Sequence, residues 1–226
     1  MKGSGSKLRT LNDSKNQQLT WRQGITFILS APSGTGKTTL IKGLRAVYPE
    51  IRLSISFTTR ARRPGEIDGH DYHFVKPAKF AAMKAKGEFA EWAKVHDFFY
   101  GTPRRPLDQC IRLGRDMILD IDVQGARKIK RKYPQAVSIF LLPPSWRELE
   151  RRLAWRGTDG RETIRRRLDN ARGEMRDIIQ YDYFVVNREV KESLELLRSI
   201  VEAERAKTSR VKKWRIEPLR RTAGSS

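Results

Sequence analysis

Residues 31–38 read APSGTGKT, and their types and spacing suit the binding of phosphate groups. The two glycines allow the backbone to curl so that several N–H groups point inward, and a helix beginning here adds the positive end of its dipole. Lys37 is placed to bring its charge near the β- and γ-phosphates, and the Thr38 hydroxyl is placed to bind Mg²⁺. The segment ends like a Walker A loop but has Ala31 in place of the first glycine. It predicts binding of a nucleoside triphosphate and leaves the phosphate acceptor open.

Two aspartates, Asp120 and Asp122, close an apolar run that begins near residue 116. Side chains alternate along a strand, so both carboxylates are expected on the same face. In an open parallel sheet the carboxyl ends of the strands line the ligand crevice. One aspartate would then belong to the Mg²⁺ shell and the other would meet a substrate. The alternative is that both are turn-forming residues at the end of a strand.

Arginines are the third group with the right chemistry. Arg60 and Arg63 are three residues apart in a loop and can converge on one phosphate as planar, bidentate donors, with Tyr72 and Tyr100 adding hydroxyl donors. Ten further arginines lie between residues 147 and 176, on both sides of Gly157 and Gly160. Arginines on a segment that closes late and expels water suit the neutralisation of a transferring phosphoryl group. This segment is therefore predicted to form a lid.

Alternating strands and helices must position these residues. The predicted core strands cover residues 25–30, 53–57, 116–121, 136–142 and 183–186, and the predicted helices residues 37–47, 124–133, 146–155, 164–178 and 190–201. This alternation is typical of an α/β protein with a parallel sheet. Residues 58–102 differ, because turn residues there separate short strands such as 72–75 from a short helix at 78–86. They are predicted to form a small insertion between core elements.

Several separate segments together resemble the guanylate kinases, in the order in which that family has them. They are SFTTR at 56–60, RPGE at 63–66, GHDYHF at 69–74, GEFAEW at 87–92, YGT at 100–102, ILDIDVQG at 118–125 and RGT at 156–158. The resemblance covers roughly residues 24–204. It implies a parallel-sheet P-loop core, a small mixed α/β GMP-binding insertion at about 58–102 and a helical lid at about 152–167. The implied activity is transfer of the γ-phosphate of ATP to GMP, directly and in line, with Mg²⁺ as Mg-ATP.

The resemblance also assigns the acceptor site. Glu91 would accept hydrogen bonds from the N1–H and 2-amino groups of guanine, with Asp122 helping at the 2-amino group. Adenine has no N1–H, and an unpaired carboxylate in a closed site costs on the order of 1–3 kcal/mol. One departure is Phe99, which stands where the family usually has a first tyrosine before Tyr100. The residues implied for GMP are Ser56, Arg60, Arg63, Tyr72, Glu91, Tyr100, Thr102 and Asp122.

The loop and the resemblance together predict the residues that bind ATP, the phosphate donor. Residues implied for ATP are Ala31, Pro32, Ser33, Gly34, Thr35, Gly36, Lys37, Thr38, Thr39 and Asn187, the last near the adenine. Those implied for catalysis are Lys37, Arg60, Arg152, Arg156 and Arg167, and those for the metal are Thr38 and Asp120. The neighbouring Arg151, Arg165 and Arg166 are expected on the outer face of the lid.

Composition limits the remaining possibilities. The chain has 226 residues and a net charge of +21, of which residues 1–23 carry +4 (five basic, one acidic) and residues 205–226 carry +7 (eight basic, one acidic). These ends are predicted to be a flexible basic arm and a basic tail, with non-specific nucleic-acid contacts at most. No apolar run is long enough to span a membrane, and the lone Cys110 favours a cytoplasmic location. The pattern does not indicate whether the protein is a monomer or a homo-oligomer.

Three other interpretations stay open from the sequence. A different P-loop phosphotransferase would use another acceptor, and Glu91 is the residue that discriminates against it. A non-catalytic guanylate-kinase-like scaffold usually lacks a working P-loop, whereas Lys37 and Thr38 are present here. A nucleic-acid-binding protein would explain the net charge, but the chain carries no recognised nucleic-acid motif.

Overall fold

The computed structural model describes residues 20–95, 97–155 and 160–214. Its centre is a parallel sheet of five strands: β2 (Thr26–Ser30), β3 (Arg52–Leu53), β8 (Met117–Asp120), β9 (Val137–Leu142) and β10 (Tyr183–Val186). From edge to edge their order is β10-β9-β2-β8-β3. The predicted parallel α/β core is confirmed.

The central strand shows why this sequence forms a sheet covered on both faces. Every residue of β2 is buried, as expected for a parallel strand with helices on either side. Phe27 and Leu29 point into one apolar cluster, whereas Ile28 points into the other. This alternation follows the two-residue period of a strand.

Seven helices occur in the described part of the chain. They are α1 (Lys37–Val47), α2 (Pro77–Ala85), α3 (Arg104–Arg112), α4 (Val123–Lys132), α5 (Trp146–Trp155), α6 (Arg161–Met175) and α7 (Val190–Ala206). Helices α1 and α7 cover one face of the central sheet, and α3 and α4 cover the other. Short 3₁₀ segments follow α6 at Arg176–Gln180 and α7 at Thr208–Arg210. No helix in these ranges is long and apolar enough to cross a membrane.

A second, mixed sheet occupies the predicted insertion. It comprises β4 (Phe57–Thr58), β5 (His73–Phe74), β6 (Phe89–Val95) and β7 (Phe98–Pro103), in the order β5-β4-β7-β6. Strands β4 and β5 are parallel, and the other pairs are antiparallel. Phe80 of α2 stacks on Phe89 and Phe99, with ring centroids 4.6 and 5.6 Å apart, so the insertion has its own aromatic core.

One predicted strand needs correction. The strand expected at 53–57 is wrong, because Arg52–Leu53 pairs in the central sheet and Phe57–Thr58 pairs in the second sheet. The chain crosses between the two sheets over residues 54–56, where it is not paired as a strand. Next to the predicted domain boundaries at 23 and 205, β1 (Thr20–Arg22) pairs antiparallel with β11 (Val211–Trp214).

A buried aspartate explains why these end segments belong to the folded body. The Asp116 carboxylate is fully buried and accepts two hydrogen bonds from Arg22, at 2.6 and 2.7 Å. It also accepts from Arg205 Nε at 2.8 Å and from the Ile25 backbone N–H at 2.9 Å. One carboxylate therefore ties β1 and the end of α7 to the central sheet. The predictions for residues 1–19 and 215–226 lie outside the described residues.

Candidate active site

The phosphate-binding loop connects β2 to α1 at the carboxyl edge of the central sheet. Strand β2 lies between β8 and β9, where the strand order reverses, and this is where open α/β sheets bind ligands. Gly34 and Gly36 have φ angles of +91° and +93°, a region that L residues rarely adopt. A Cβ at Gly36 would lie 2.7 Å from Asn187 Nδ2, so the loop needs glycine there for space as well.

Asn187 stabilises the backbone of this loop through a hydrogen bond. Its side chain is buried and donates to the Thr35 carbonyl at 2.7 Å, while Ser193 donates to Asn187 Oδ1 at 3.1 Å. Arg152 Nη1 also donates to the Thr35 carbonyl, at 3.3 Å. The role expected for Asn187 beside the adenine stays a prediction, and in this structure its amide holds the loop backbone.

Lys37 and Asp120 meet at the front of the loop. Lys37 is the first residue of α1, and its Nζ lies 2.5 Å from Oδ1 of Asp120, the last residue of β8. Thr38 and Thr39 are exposed in the first turn of α1, as is Ser33 in the loop, whereas Ala31 is half-buried and Pro32 is buried. The oxygens expected to serve a metal therefore stand at the same edge as the loop.

Asp122 is not placed as strand alternation predicts. Strand β8 ends at Asp120, and Asp122 is the N-cap of α4, where its Oδ1 accepts from the Gly125 N–H at 2.8 Å. A Cβ at Gly125 would lie 3.1 Å from Glu91 Oε2 and 3.2 Å from Asp122 Oδ1. The start of α4, rather than the strand, brings Asp122 towards Glu91.

Glu91 is the buried acid of the second sheet. It pairs with Thr102 across β6 and β7, and the Thr102 hydroxyl donates to Glu91 Oε1 at 2.6 Å. Only 6% of Glu91 is exposed, and Ser56 and Thr102 are buried as well. Burial raises the pKa of Glu91 to about 7, and the charge of Asp122 adds to the rise, although the hydrogen bond from Thr102 opposes it. Burial therefore disfavours the ionised form of Glu91 in the free protein.

Arg60 lies at the centre of the predicted acceptor-phosphate site. It is almost buried, its Nε donates to the Tyr100 hydroxyl at 3.3 Å, and its guanidinium carbon lies 5.5 Å from the Tyr72 ring centroid. Its two terminal nitrogens bind Glu66. Arg63 is exposed, and its backbone N–H donates to the same carboxylate at 2.8 Å. Convergence of Arg60 and Arg63 on one phosphate stays a prediction.

Tyr72 links the two halves of the site electrostatically. Burial raises the pKa of Tyr72 to about 12, and the next contribution is the negative charge of Asp120. Asp120 is also the partner of Lys37. Asp120 therefore acts electrostatically on Tyr72 of the acceptor side while it binds Lys37 of the donor loop.

The lid predicted at about 152–167 covers the end of α5 and the first part of α6, and residues 156–159 lie outside the described residues. These helices share a small apolar core of Leu149, Leu153 and Ala171 with Ile164, Leu168 and Met175, which confirms the apolar face expected for α6. Arg152 is half-buried on the face towards the loop, and Arg167 is half-buried on α6. The expected outward-facing residues Arg151, Arg165 and Arg166 are exposed. Arg156 lies outside the described residues.

Two acidic residues near the site had no predicted role. Glu66 binds Arg60 across the turn at Pro64 and Gly65, and the only signal for it is its place in the RPGE segment. Glu174 stands on α6 beside the apolar face. Burial raises its pKa to about 7, the charge of Lys37 lowers it and that of Asp122 raises it.

Comparison with known proteins agrees with this geometry. A family model described as guanylate kinase matches residues 23–204. A guanylate kinase of Syntrophotalea carbinolica is 52% identical over 84% of this chain and 91% of its own length, and one of Geobacter metallireducens is 50% identical over 84% and 94%. The crystal structure of guanylate kinase from Anaplasma phagocytophilum has a TM-score of 0.72 at 35% identity, covering 85% of this chain and 92% of that one. With a P-loop core, a mixed insertion carrying a buried glutamate, and relatives at this level of identity, the chain belongs to the guanylate kinase family.

Proposed function

We propose that this protein transfers the γ-phosphate of ATP to GMP, giving ADP and GDP. The observation that carries the proposal is that the central sheet has an intact phosphate-binding loop at its carboxyl edge, while the second sheet has a buried carboxylate and an arginine–tyrosine cluster. Glu91 and Thr102 are buried together, and Arg60 lies against Tyr72 and Tyr100. Family membership supports both substrates.

The donor side binds the triphosphate. Loop N–H groups and the start of α1 favour negative charge, and Lys37 is within reach of it once Asp120 releases its ammonium. Asn187 and Arg152 hold the Thr35 carbonyl from the other side, which fixes the loop before ATP arrives. A preformed loop loses less conformational freedom on binding than a mobile one.

The acceptor side recognises guanine and its phosphate. Glu91 accepts from the N1–H and 2-amino groups, with Asp122 at the 2-amino group and with Ser56 and Thr102 near O6. Arg60, Tyr72 and Tyr100 hold the phosphate, and Arg63 closes on it from the exposed side of the loop. The depth of Glu91 supports discrimination, because an unsatisfied buried carboxylate penalises the wrong base.

Transfer is direct and in line. A phosphate oxygen of GMP is already nucleophilic, so no general base is needed, and the protein aligns the substrates and neutralises charge. Arg152 and Arg167 approach from the half-buried side of the lid helices, and Arg156 is proposed to join them. Closure of the lid excludes water, which would otherwise accept the phosphoryl group.

Magnesium fits the donor side. The Thr38 hydroxyl and the Asp120 carboxylate are the oxygen ligands that Mg²⁺ prefers, and Mg²⁺ commonly combines one or two protein oxygens with phosphate oxygens. When bound with ATP, the ion neutralises charge on the β- and γ-phosphates. A cytoplasmic location is likewise proposed, supported by the single, unpaired and buried Cys110.

An assay of ADP release with ATP, Mg²⁺ and each of the four ribonucleoside monophosphates tests the proposal. We expect rapid release with GMP and little with AMP, CMP or UMP. Faster release with any of the other three would mean that the acceptor is wrong. No release with any of them would favour a non-catalytic binding domain.

A further inference from the structure

We infer that Glu66 is a positioning residue that orients the Arg60 guanidinium so that a single free edge faces the phosphate of GMP. The inference rests on the proposed function. Glu66 holds the far end of the guanidinium with both carboxylate oxygens, at 3.0 Å from Nη1 to Oε2 and 2.6 Å from Nη2 to Oε1. This is the bidentate arrangement in which a planar guanidinium is most strongly fixed.

The N–H groups of the Arg60 guanidinium show which of its edges can face the phosphate of GMP. The guanidinium has five N–H groups in one plane. Glu66 takes one from each terminal nitrogen, and the Ala61 carbonyl takes the second of Nη1 at 2.7 Å. The second Nη2–H is left, and beside it on the same edge the Nε–H donates to the Tyr100 hydroxyl at 3.3 Å, a long hydrogen bond that a phosphate oxygen can replace. That edge matches two oxygens of a phosphate, and Tyr100 is already there as a third donor.

Glu66 also fixes the turn that carries Arg63. Its Oε2 accepts from the Arg63 backbone N–H at 2.8 Å, and its own backbone N–H donates to the Arg63 carbonyl at 3.2 Å. The turn includes Gly65 with a φ of +83°. One carboxylate therefore sets both the plane of the Arg60 guanidinium and the course of the chain at Arg63.

The surroundings keep Arg60 and Glu66 together as an ion pair. The Arg60 side chain is 9% exposed and that of Glu66 20%. The Tyr72 and Phe74 rings face the guanidinium carbon at 5.5 and 5.7 Å, which limits its movement out of the plane. The hydrogen bonds from Arg60 lower the pKa of Glu66, so the carboxylate stays ionised around neutral pH.

Glu66 could either orient Arg60 for the GMP phosphate or compete with that phosphate for Arg60, and the two roles predict opposite effects of removing the carboxylate. A carboxylate that merely competed for Arg60 would weaken GMP binding, and its removal would tighten it. The geometry favours orientation, because Glu66 occupies the end edge of the guanidinium and leaves the side edge open. Its removal should then weaken the grip on the phosphate and leave the guanine contacts at Glu91 unchanged.

The test compares Glu66→Gln with Glu88→Gln, an exposed glutamate of the same insertion. Dissociation constants are measured for GMP and for guanosine, which lacks the phosphate, and steady-state kinetics give the KM for ATP. For Glu66→Gln we expect GMP to bind about tenfold more weakly, with guanosine and the KM for ATP within about twofold of the wild type. Glu88→Gln should match the wild type for all three.

Two results would overturn the inference. GMP binding that is unchanged or tighter in Glu66→Gln would identify the carboxylate as a bystander or a competitor. An equal loss for GMP and guanosine would assign Glu66 a general structural role. These results can be told apart from a failure of the proposed function, because in that case the wild type itself would not phosphorylate GMP.

Discussion

At the scale of single residues, the proposed recognition of guanine by Glu91 should depend on pH, because the environment of this carboxyl group raises its pKa. The guanine donors require an ionised carboxylate. Because burial raises the pKa of Glu91 to about 7, a large share of the free protein carries it protonated in neutral solution. Guanine binding must then release a proton, so affinity falls as the pH falls below the pKa of Glu91.

This dependence can be measured with guanosine as a competitive inhibitor. Guanosine is the right ligand because it lacks the phosphate of GMP, whose second pKa of about 6 would add its own pH dependence. We expect the inhibition constant to rise by up to about tenfold per unit as the pH falls from about 7 to about 5.5. Glu91→Gln should bind weakly and without this dependence. A flat profile in the wild type would show that Glu91 is ionised throughout.

Glycine placement at the phosphate-binding loop gives a second prediction for single residues. Gly36→Ala puts a Cβ 2.7 Å from Asn187 Nδ2 at a φ of +93°, so either the loop or Asn187 must move. We expect ATP binding to fall by more than about tenfold, since the loop N–H groups then point away from the phosphates. The KM for GMP should change little.

Gly173→Ala is the matched control for that substitution. Gly173 lies in α6, and a Cβ there would have no heavy atom within 4 Å. Alanine in a helix should stabilise the protein by roughly 0.5–1 kcal/mol and leave ATP binding intact. ATP binding by Gly36→Ala at wild-type strength would contradict the account of the loop.

At the scale of elements, the sequence predicts well where its pattern is local. Helices α1 and α5 and strand β10 have the predicted bounds, because apolar spacing and flanking turn residues mark both of their ends. The sequence predicts one strand where the structure has β3 and β4, because one short β-rich run contributes to two different sheets. Helix α3 went unpredicted, since only Leu107 and Cys110 of its residues are buried.

For the candidate site as well, the sequence predicts what a local pattern marks and misses what depends on distant contacts. The loop and the family segments indicate Lys37, Glu91 and Arg60 directly. The partners of these residues depend on contacts that no local pattern contains, such as Asn187 with Thr35, 152 residues apart. The alternation of side chains along a strand does not apply to Asp122, because strand β8 ends two residues before it and helix α4 begins directly after it.

At the scale of the whole molecule, Asp116 joins the two ends of the folded chain. It accepts from Arg22 and from Arg205 at its fully buried carboxylate. Asp116→Ala leaves two partly buried guanidinium groups without this partner and an N–H of Ile25 unsatisfied. We expect a loss of about 3 kcal/mol in the free energy of unfolding, measured by urea denaturation.

The control for Asp116→Ala is Asp169→Ala, which removes an exposed helical ion pair with Arg172. Such pairs contribute about 0.5 kcal/mol or less, so the control should unfold almost like the wild type. Equal stability of the two variants would mean that the end segments are not held through Asp116.

The most direct test of the central claim is the preference for GMP in the wild type and in Glu91→Gln, with GDP and ADP quantified together. The account predicts that the wild type forms GDP and ADP in equal amounts from GMP and ATP, and that it strongly prefers GMP to AMP. It predicts that Glu91→Gln loses most of this preference while its KM for ATP stays close to that of the wild type. Retention of the full preference by Glu91→Gln, or formation of ADP without GDP in the wild type, would contradict it.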